Sequence, residues 1–465
     1  MKKPIISIYL SLMLLTAFSC KSQNNGFTNT PNIIIFMVDD LGWTDVGSYG
    51  SDFYETPTID KIATNGIRFT NAYSASSVCS PTRAAIMTGK YPARTKVTDW
   101  IAGHNFPWAQ LKVPKWKKYL DPNETTLPEY LKAKGYATAN IGKWHLGEDS
   151  TYWPEHQGFD TNKGGYAKGG PRGHYFSPYQ NPRLTDGPKG EYLTDRLTDE
   201  AIQFINETKE TPFFLYFSHY AVHTKLEAKQ EVIDKYKEKI STNNLHKNPI
   251  YAAMIESVDE SLARLLQNLK ETGKINNTII FFMSDNGGLT KVTSNTPLRD
   301  GKGSIYEGGV RVPMIIYAPE IILKGSINTT PTITMDVFAS ITDLLDIKNT
   351  TPIDGVSLMP IILEEKEIKR NALFWHYPHY HQEGAVPYSA IREGDWKLIE
   401  TLEDNKLELY HLSEDIGETK NLALKNTSKA ADLKQKLNHW RTNIKAQMPI
   451  KNIDYDKTRE RKKSN

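Results

Sequence analysis

Several short apolar runs in this chain end in polar or acidic residues, and helical patterns separate them. Ile33–Val38 runs into Asp39 and Asp40, and Ala137–Ile141 into Gly142-Lys143-Trp144-His145. Phe213–Phe217 leads towards His219 and His223, Ile279–Met283 into Ser284-Asp285-Asn286-Gly287-Gly288, and Met314–Tyr317 closes before Ala318-Pro319. Unbroken runs this short, rich in β-branched and aromatic residues, read as strands buried on both faces. Helical patterns lie between them near Leu127–Lys134, Tyr192–Glu207, Tyr251–Lys270 and Met335–Leu345. The alternation predicts an α/β domain around a large, mostly parallel sheet flanked by helices. Ligands bind such sheets beyond the carboxyl ends of the strands, where four of these runs place polar residues.

The segments change character from about Lys369. Ala372–His376, Ser389–Arg392, Trp396–Glu400 and Leu407–Leu412 alternate, and a helical pattern follows over about Ala430–Ile444. A main domain over 31–368 and a C-terminal α+β subdomain over 369–465, a small antiparallel sheet with a helix, are expected. At the other end, Lys2 and Lys3 precede an apolar stretch to Phe18 and then Ser19-Cys20. That is the pattern of a signal peptide over residues 1–19, too short to span a bilayer once processed. Its end resembles a bacterial lipobox with Cys20 as the lipidated residue, although Ala17-Phe18-Ser19 also fits an ordinary cleavage site. Residues 20–30 read as a polar tether. The expected address is exported, periplasmic or envelope-bound, with a lipid anchor at Cys20. The formal charge is +3, two of it in Lys2 and Lys3, and this near balance argues against a nucleic-acid partner.

The chain has two cysteines, and with Cys20 assigned to processing no partner remains for Cys79. A helix over about Pro81–Met87 would put residue 79 at its N-terminus, where free amides and the dipole favour an anion. A buried apolar thiol is the bland alternative, but Arg83 one turn on is a poor neighbour for it. Asp39-Asp40 and Asp285-Asn286 could together give a hard divalent cation such as calcium its oxygen ligands. Either pair alone would fit a plain strand terminator equally well. In an extended segment, Lys143 and His145 would share one face. Glycines around Lys302 would let the backbone turn and aim that lysine inward.

Asn32–Gly47, Cys79–Gly89, Gly142–Gly147, Ser284–Gly288 and Gly301–Pro313 together resemble the type I formylglycine sulfatases of the alkaline-phosphatase-like superfamily. Cys79-Ser80-Pro81-Thr82-Arg83 is similar to their maturation signature, in which the cysteine is oxidised to a formylglycine aldehyde. Thr82 stands where Ser is commonest, and His219-Tyr220 departs from the usual run before the histidine. Tyr175–Tyr179 and Gly190–Asp199 look like the branch of arylsulfatases and N-acetylgalactosamine-4-sulfatase-like glycan enzymes. The resemblance implies a hydrated formylglycine 79 held on Ca2+ by Asp39, Asp40, Asp285 and Asn286, with Asp285 as activating base. It implies Arg83 and Lys143 stabilising the diol, and Lys143, His223 and Lys302 neutralising the sulfate. His223 would protonate the departing sugar oxygen, and His145 would then help expel sulfate. A formylglycine-generating or anaerobic radical maturation enzyme is the implied partner.

The implied activity is exo-acting hydrolysis of a carbohydrate O-sulfate, of galactose or N-acetylgalactosamine type, in polysaccharide degradation. Rhamnose- or uronate-containing algal glycans are a second substrate class. A phosphonate or phosphate ester hydrolase of the same superfamily is a rival, as is a lipoprotein that captures sulfated glycans without turnover. Asp99-Trp100, His104, Arg172, His174, and the cluster His376, His379 and His381 could read sugar hydroxyls or a uronate. The histidine cluster fits a packed corner equally well.

Overall fold

The computed structural model describes residues 30–322, 325–364 and 366–459; the signal segment and Cys20 lie outside the described residues. The strand Asn32–Val38 shows why its sequence is apolar throughout. Successive side chains leave opposite faces of a sheet, and here both faces are covered. Ile34, Phe36 and Val38 enter a core with the helices Leu193–Glu207 and Pro249–Glu271. Ile33, Ile35 and Met37 enter a second core with Cys79–Thr88, Leu127–Ala133 and Asp336–Leu344.

Eight strands form the main sheet, in the order Ser326–Asn328, Ile67–Phe69, Met314–Tyr317, Thr278–Ser284, Asn32–Val38, Phe213–Ser218, Ala137–Gly142 and Thr161–Lys163. Met314–Tyr317 runs antiparallel to both neighbours, and the remaining pairings are parallel. The four central strands are in register, with Ile34 opposite Leu215 and Ile280, and Val38 opposite Ser284. Their carboxyl ends therefore stop at one level, which brings Asp39, Lys143, His219 and Asp285 to one edge.

The C-terminal segments form a four-stranded antiparallel meander, Leu373–Tyr377, Tyr388–Glu393, Trp396–Thr401 and Leu407–His411. The helix Thr427–Asn443 packs on it through Leu433, Leu437 and Trp440. This layer shares a core with Tyr73, Val78 and Ala85, so it closes over the outer side of Cys79–Thr88. That helix is buried at every residue. A buried ionic joint ties the layers together: Lys397 Nζ lies 2.8 Å from Glu307 and 2.9 Å from Glu418. The chain then returns to the main domain, where Ile450–Lys451 pairs with Leu111–Lys112. Asn452 Nδ2 donates to the carbonyls of Pro107 and Ala109, both at 2.7 Å.

The expected strands and helices are present within a few residues. The helix expected over Pro81–Met87 starts at Cys79, with residue 79 in its first turn. Pattern reading passed over the helices Pro57–Asn65 and Gln230–Lys239, and over strands of two or three residues such as Ile67–Phe69. Strands that short carry no readable period. No helix among the described residues is long and apolar enough to cross a membrane.

Candidate active site

Asp39 and Asp40 follow the central strand directly. Asp40 has φ 61°, a left-handed conformation uncommon outside glycine, and its amide donates to Asp285 Oδ1 at 3.2 Å. Its carbonyl accepts from Tyr251 Oη at 3.2 Å, and the same hydroxyl donates to Asp45 Oδ2 at 2.7 Å. Asp45 in turn accepts from the Gly42 amide and the Thr293 hydroxyl. This network holds the turn after the strand, and nothing in the motif reading had drawn attention to Asp45, Tyr251 or Thr293.

The separated motifs converge on these carboxylates. Cys79 Sγ lies 3.6 Å from Asp39 Oδ1 and 4.0 Å from Asp40 Oδ1. Arg83 is fully buried and grips Asp285 Oδ2 through Nε at 2.9 Å and Nη2 at 2.7 Å. Its Nη1 donates to Ser218 Oγ, another partner the sequence did not suggest. Lys143 Nζ lies 2.6 Å from Asp39 Oδ2, and Lys302 Nζ lies 2.7 Å from Asp40 Oδ2. Asn286 Nδ2 donates to Asp40 Oδ1 at 2.8 Å, while His223 Nε2 stands 3.8 Å from Asp40 Oδ2. Three carboxyl groups thus face the basic side chains of Arg83, Lys143 and Lys302 in a largely buried site.

His145 corrects one expectation. The strand stops at Gly142, and His145 has φ 60°, so Lys143 and His145 do not alternate on an extended segment. The backbone turns instead, and Lys143 reaches Asp39 while the imidazole Nε2 meets the Ile101 carbonyl. If Nε2 carries the proton for that contact, the buried Nδ1, which has no hydrogen-bond partner, is left with its lone pair. Gly169 leaves room for the ring: a Cβ there would fall 2.4 Å from His145 Cε1.

Burial sets the protonation of the groups. It raises Asp39 to about 8, Lys143 notwithstanding, with Asp285 and Asp40 adding to the rise. Burial also acts upward on Asp40, but Lys302, His223 and Lys143 outweigh it and hold that carboxyl below its usual range. The Cys79 thiol is pushed up to about 12, so it stays protonated and is a poor nucleophile as it stands. Burial and Lys302 push His223 down to about 3, and burial with Lys143 keeps His145 well below the usual imidazole range.

The residues fit a hard divalent cation. Ligand atoms of Asp39, Asp40, Cys79 and Asp285 all lie within 4.8 Å of one another. Asn286 Oδ1 is buried and has no hydrogen-bond partner, an orphaned acceptor that an ion would satisfy. Apart from residue 79, the donors are all oxygen, which suits calcium or magnesium rather than a softer metal.

Comparison with known proteins agrees with this geometry. Residues 31–347 match the Sulfatase family, and residues 300–446 match the family of the N-sulphoglucosamine sulphohydrolase C-terminal region. The chain belongs to the sulfatase family. It is therefore a sulfuric ester hydrolase. A sulfatase of Formosa agariphila is 33% identical over 525 residues, covering 94% of this chain and 93% of that protein. The human N-acetylgalactosamine-6-sulfatase is 30% identical over 383 residues, covering 76% of this chain and 69% of the human one. The crystal structure of Ps i-CgsB in complex with k-i-k-neocarrahexaose superposes with TM-score 0.76 at 27% identity, covering 92% of this chain and 96% of that one.

In this sulfatase the polar residues outside the core constellation divide into two groups. His376 is hydrogen-bonded to Ser389 Oγ and the Gln447 carbonyl, and His379 to Thr98 Oγ1, so both belong to a packed corner. His381 instead sits against Gly303, beside Lys302, with its ring 4.8 Å from that of His104. His174 pairs with Glu227 on the exposed side of the Gly-rich loop. That loop reaches the site through its glycines: Gly169 lies against His145 and Gly170 faces His223.

Proposed function

We propose that this sulfatase removes O-sulfate from a carbohydrate, acting at chain ends on galactose- or N-acetylgalactosamine-type sugars in polysaccharide breakdown. The observation that carries the reading is the convergence of Cys79, three carboxylates, Asn286 and the cations Arg83, Lys143 and Lys302 in one buried cluster. The sugar is favoured because one relative is named for N-acetylgalactosamine 6-sulfate and one solved neighbour holds a neocarrahexaose.

Asp39, Asp40, Asp285 and Asn286 would hold a calcium ion, which when bound supplies Lewis-acid polarisation of oxygen. Residue 79 would supply the attacking oxygen once a maturation enzyme has oxidised its thiol to formylglycine and water has added to that aldehyde to give a diol; the inert thiol fits that requirement. Arg83 fixes the Asp285 carboxylate. Lys143, Lys302 and His223 would neutralise an anionic sulfate bound beside residue 79, and their donors would stabilise charge that grows in the transition state. Burial and Lys302 keep His223 neutral even with Asp40 nearby, so an arriving sulfate, as a further anion, would raise its proton affinity and ready Nε2 to protonate the sugar oxygen. His145 accepts a proton at Nδ1, with its ring held at the Ile101 carbonyl. Export, with a lipid anchor at Cys20, belongs to the same proposal.

The test is sulfate release from a panel of defined sulfated mono- and oligosaccharides, with formylglycine content measured by mass spectrometry. Turnover of a galactose-type sulfate that Cys79→Ala abolishes is the expected result. Full turnover by Cys79→Ala, or none from any sugar by fully converted enzyme, would overturn the reading.

A further inference from the structure

The loop after the maturation helix carries a partly exposed indole, Trp100, beside the reacting centre. Its ring centroid lies 6.4 Å from that of His145. Loop aromatics on a protein surface are usually mobile, but this one is tied at every side. The Trp100 amide donates to Asp99 Oδ1 at 2.9 Å, and Asp99 accepts from Tyr377 Oη at 2.6 Å. The next amide, Ile101, donates to Ser80 Oγ at 3.1 Å, and the Ile101 carbonyl meets the His145 ring. The indole Nε1 donates to His104 Nδ1 at 3.0 Å. His104 is itself packed between Phe106 and His381, with centroids at 5.7 and 4.8 Å.

The residue packs against the core shared with the C-terminal layer and its ring lies at 72° to that of His104, with centroids 5.0 Å apart, yet part of its surface stays open. A core tryptophan would be buried, and a solvated one would not have its ring nitrogen held by a fixed imidazole. An immobilised, partly open aromatic next to the bond being broken suits a pyranose, whose C–H face stacks on an aromatic ring while its hydroxyls remain free for polar groups. Beyond His104 stands the His381 ring, 4.8 Å away, which lies against Gly303, the neighbour of Lys302.

We propose that Trp100 is the platform on which the sulfated sugar ring stacks, and that His104 is the positioning residue that sets the plane of its indole. The proposal rests on the carbohydrate reading above and assigns that reading a specific subsite.

The experiment compares wild type, Trp100→Ala, Trp100→Phe and His104→Leu, each normalised to formylglycine content. KM and kcat are measured on the best galactose-type monosaccharide sulfate, and inorganic sulfate is titrated as a competitive inhibitor that needs no sugar platform. Trp100→Ala is expected to raise KM by about tenfold or more, with a several-fold smaller change in the inhibition constant of sulfate. Trp100→Phe should recover most of that loss. His104→Leu should raise KM less, and add little in the Trp100→Ala background, because both changes remove the same contact. Equal shifts in KM and in sulfate inhibition would mean general collapse of the pocket and would overturn the proposal, as would an unchanged KM in Trp100→Ala. If fully converted wild type releases sulfate from an aryl ester but from no sugar, the carbohydrate reading fails and the platform fails with it. If wild type turns over sugars and the variants behave like it, only the platform fails.

Discussion

Ser80 Oγ donates to the carbonyl of His145 at 2.8 Å and accepts from the amide of Ile101 at 3.1 Å. The residue after Cys79 thereby clamps together the segment that carries His145 and the loop that carries Trp100. Ser80→Ala should leave both partners unpaired in a buried site, a loss of about 1–3 kcal/mol. Steady-state kinetics corrected for formylglycine content should show a kcat roughly ten- to a hundredfold lower; a kcat equal to wild type would mean the clamp has no catalytic consequence.

Gly169→Ala tests the seat of His145. The added methyl would meet His145 Cε1 at 2.4 Å and Nδ1 at 2.6 Å, well inside contact distance, so the ring must move. Turnover should fall by at least tenfold while the thermal midpoint changes by a few degrees at most. A melting curve beside a rate measurement separates this from unfolding.

Metal uptake should depend on pH through Asp39. Burial keeps this carboxyl protonated up to about 8 in the metal-free protein, and a cation requires the carboxylate. Calcium affinity should therefore rise with pH from about 6 to 8, and binding should release close to one proton. Calorimetry in two buffers of different ionisation enthalpy measures that proton count directly; a count of zero would place the proton elsewhere.

The ionic joint between the layers gives a stability prediction. Lys397→Met leaves Glu307 and Glu418 facing each other in a buried pocket, and breaking such a pair costs about 3–5 kcal/mol. Burial already raises Glu418 to about 7 from 4.5, so the folded state holds more protons than the unfolded one between those values. Its contribution therefore makes stability fall as pH rises from about 4.5 to 7. Denaturant titrations across that range should show a slope that is shallower in Glu418→Gln than in wild type, the raised Asp39, Asp99 and Asp259 supplying the rest.

The central strands could be read from the sequence because both their faces are buried, so each is a continuous apolar run. The same burial made their endpoints visible: Asp39-Asp40 and Asp285-Asn286 stand out where such runs stop. Short edge strands like Thr161–Lys163 left no signal, since two or three residues carry no period. Asp45, Tyr251, Ser218 and Gly169 were illegible for another reason. Each acts through a partner distant in sequence, and the residue type alone does not announce that contact. His145 does not share an extended face with Lys143, because its turn depends on a left-handed φ that alternation rules do not foresee.

The return of Ile450–Lys451 to Leu111–Lys112 has a consequence for how the loop ahead of it behaves. A contact between residues so far apart closes a very large loop of chain and pays its entropy late, after the sheet has formed. The pairing is a two-residue ribbon with Ile450 largely exposed, so it lies at the weak end of the local stability scale. The stretch around Leu111–Lys112 should then be among the last parts to lock and the first to open, while the bonds of Trp100 and Ile101 to Asp99, His104 and Ser80 do not depend on it. Amide exchange at residues 108–112 would be governed by brief detachment of the chain's far end, long before the strands beneath the carboxylates give way.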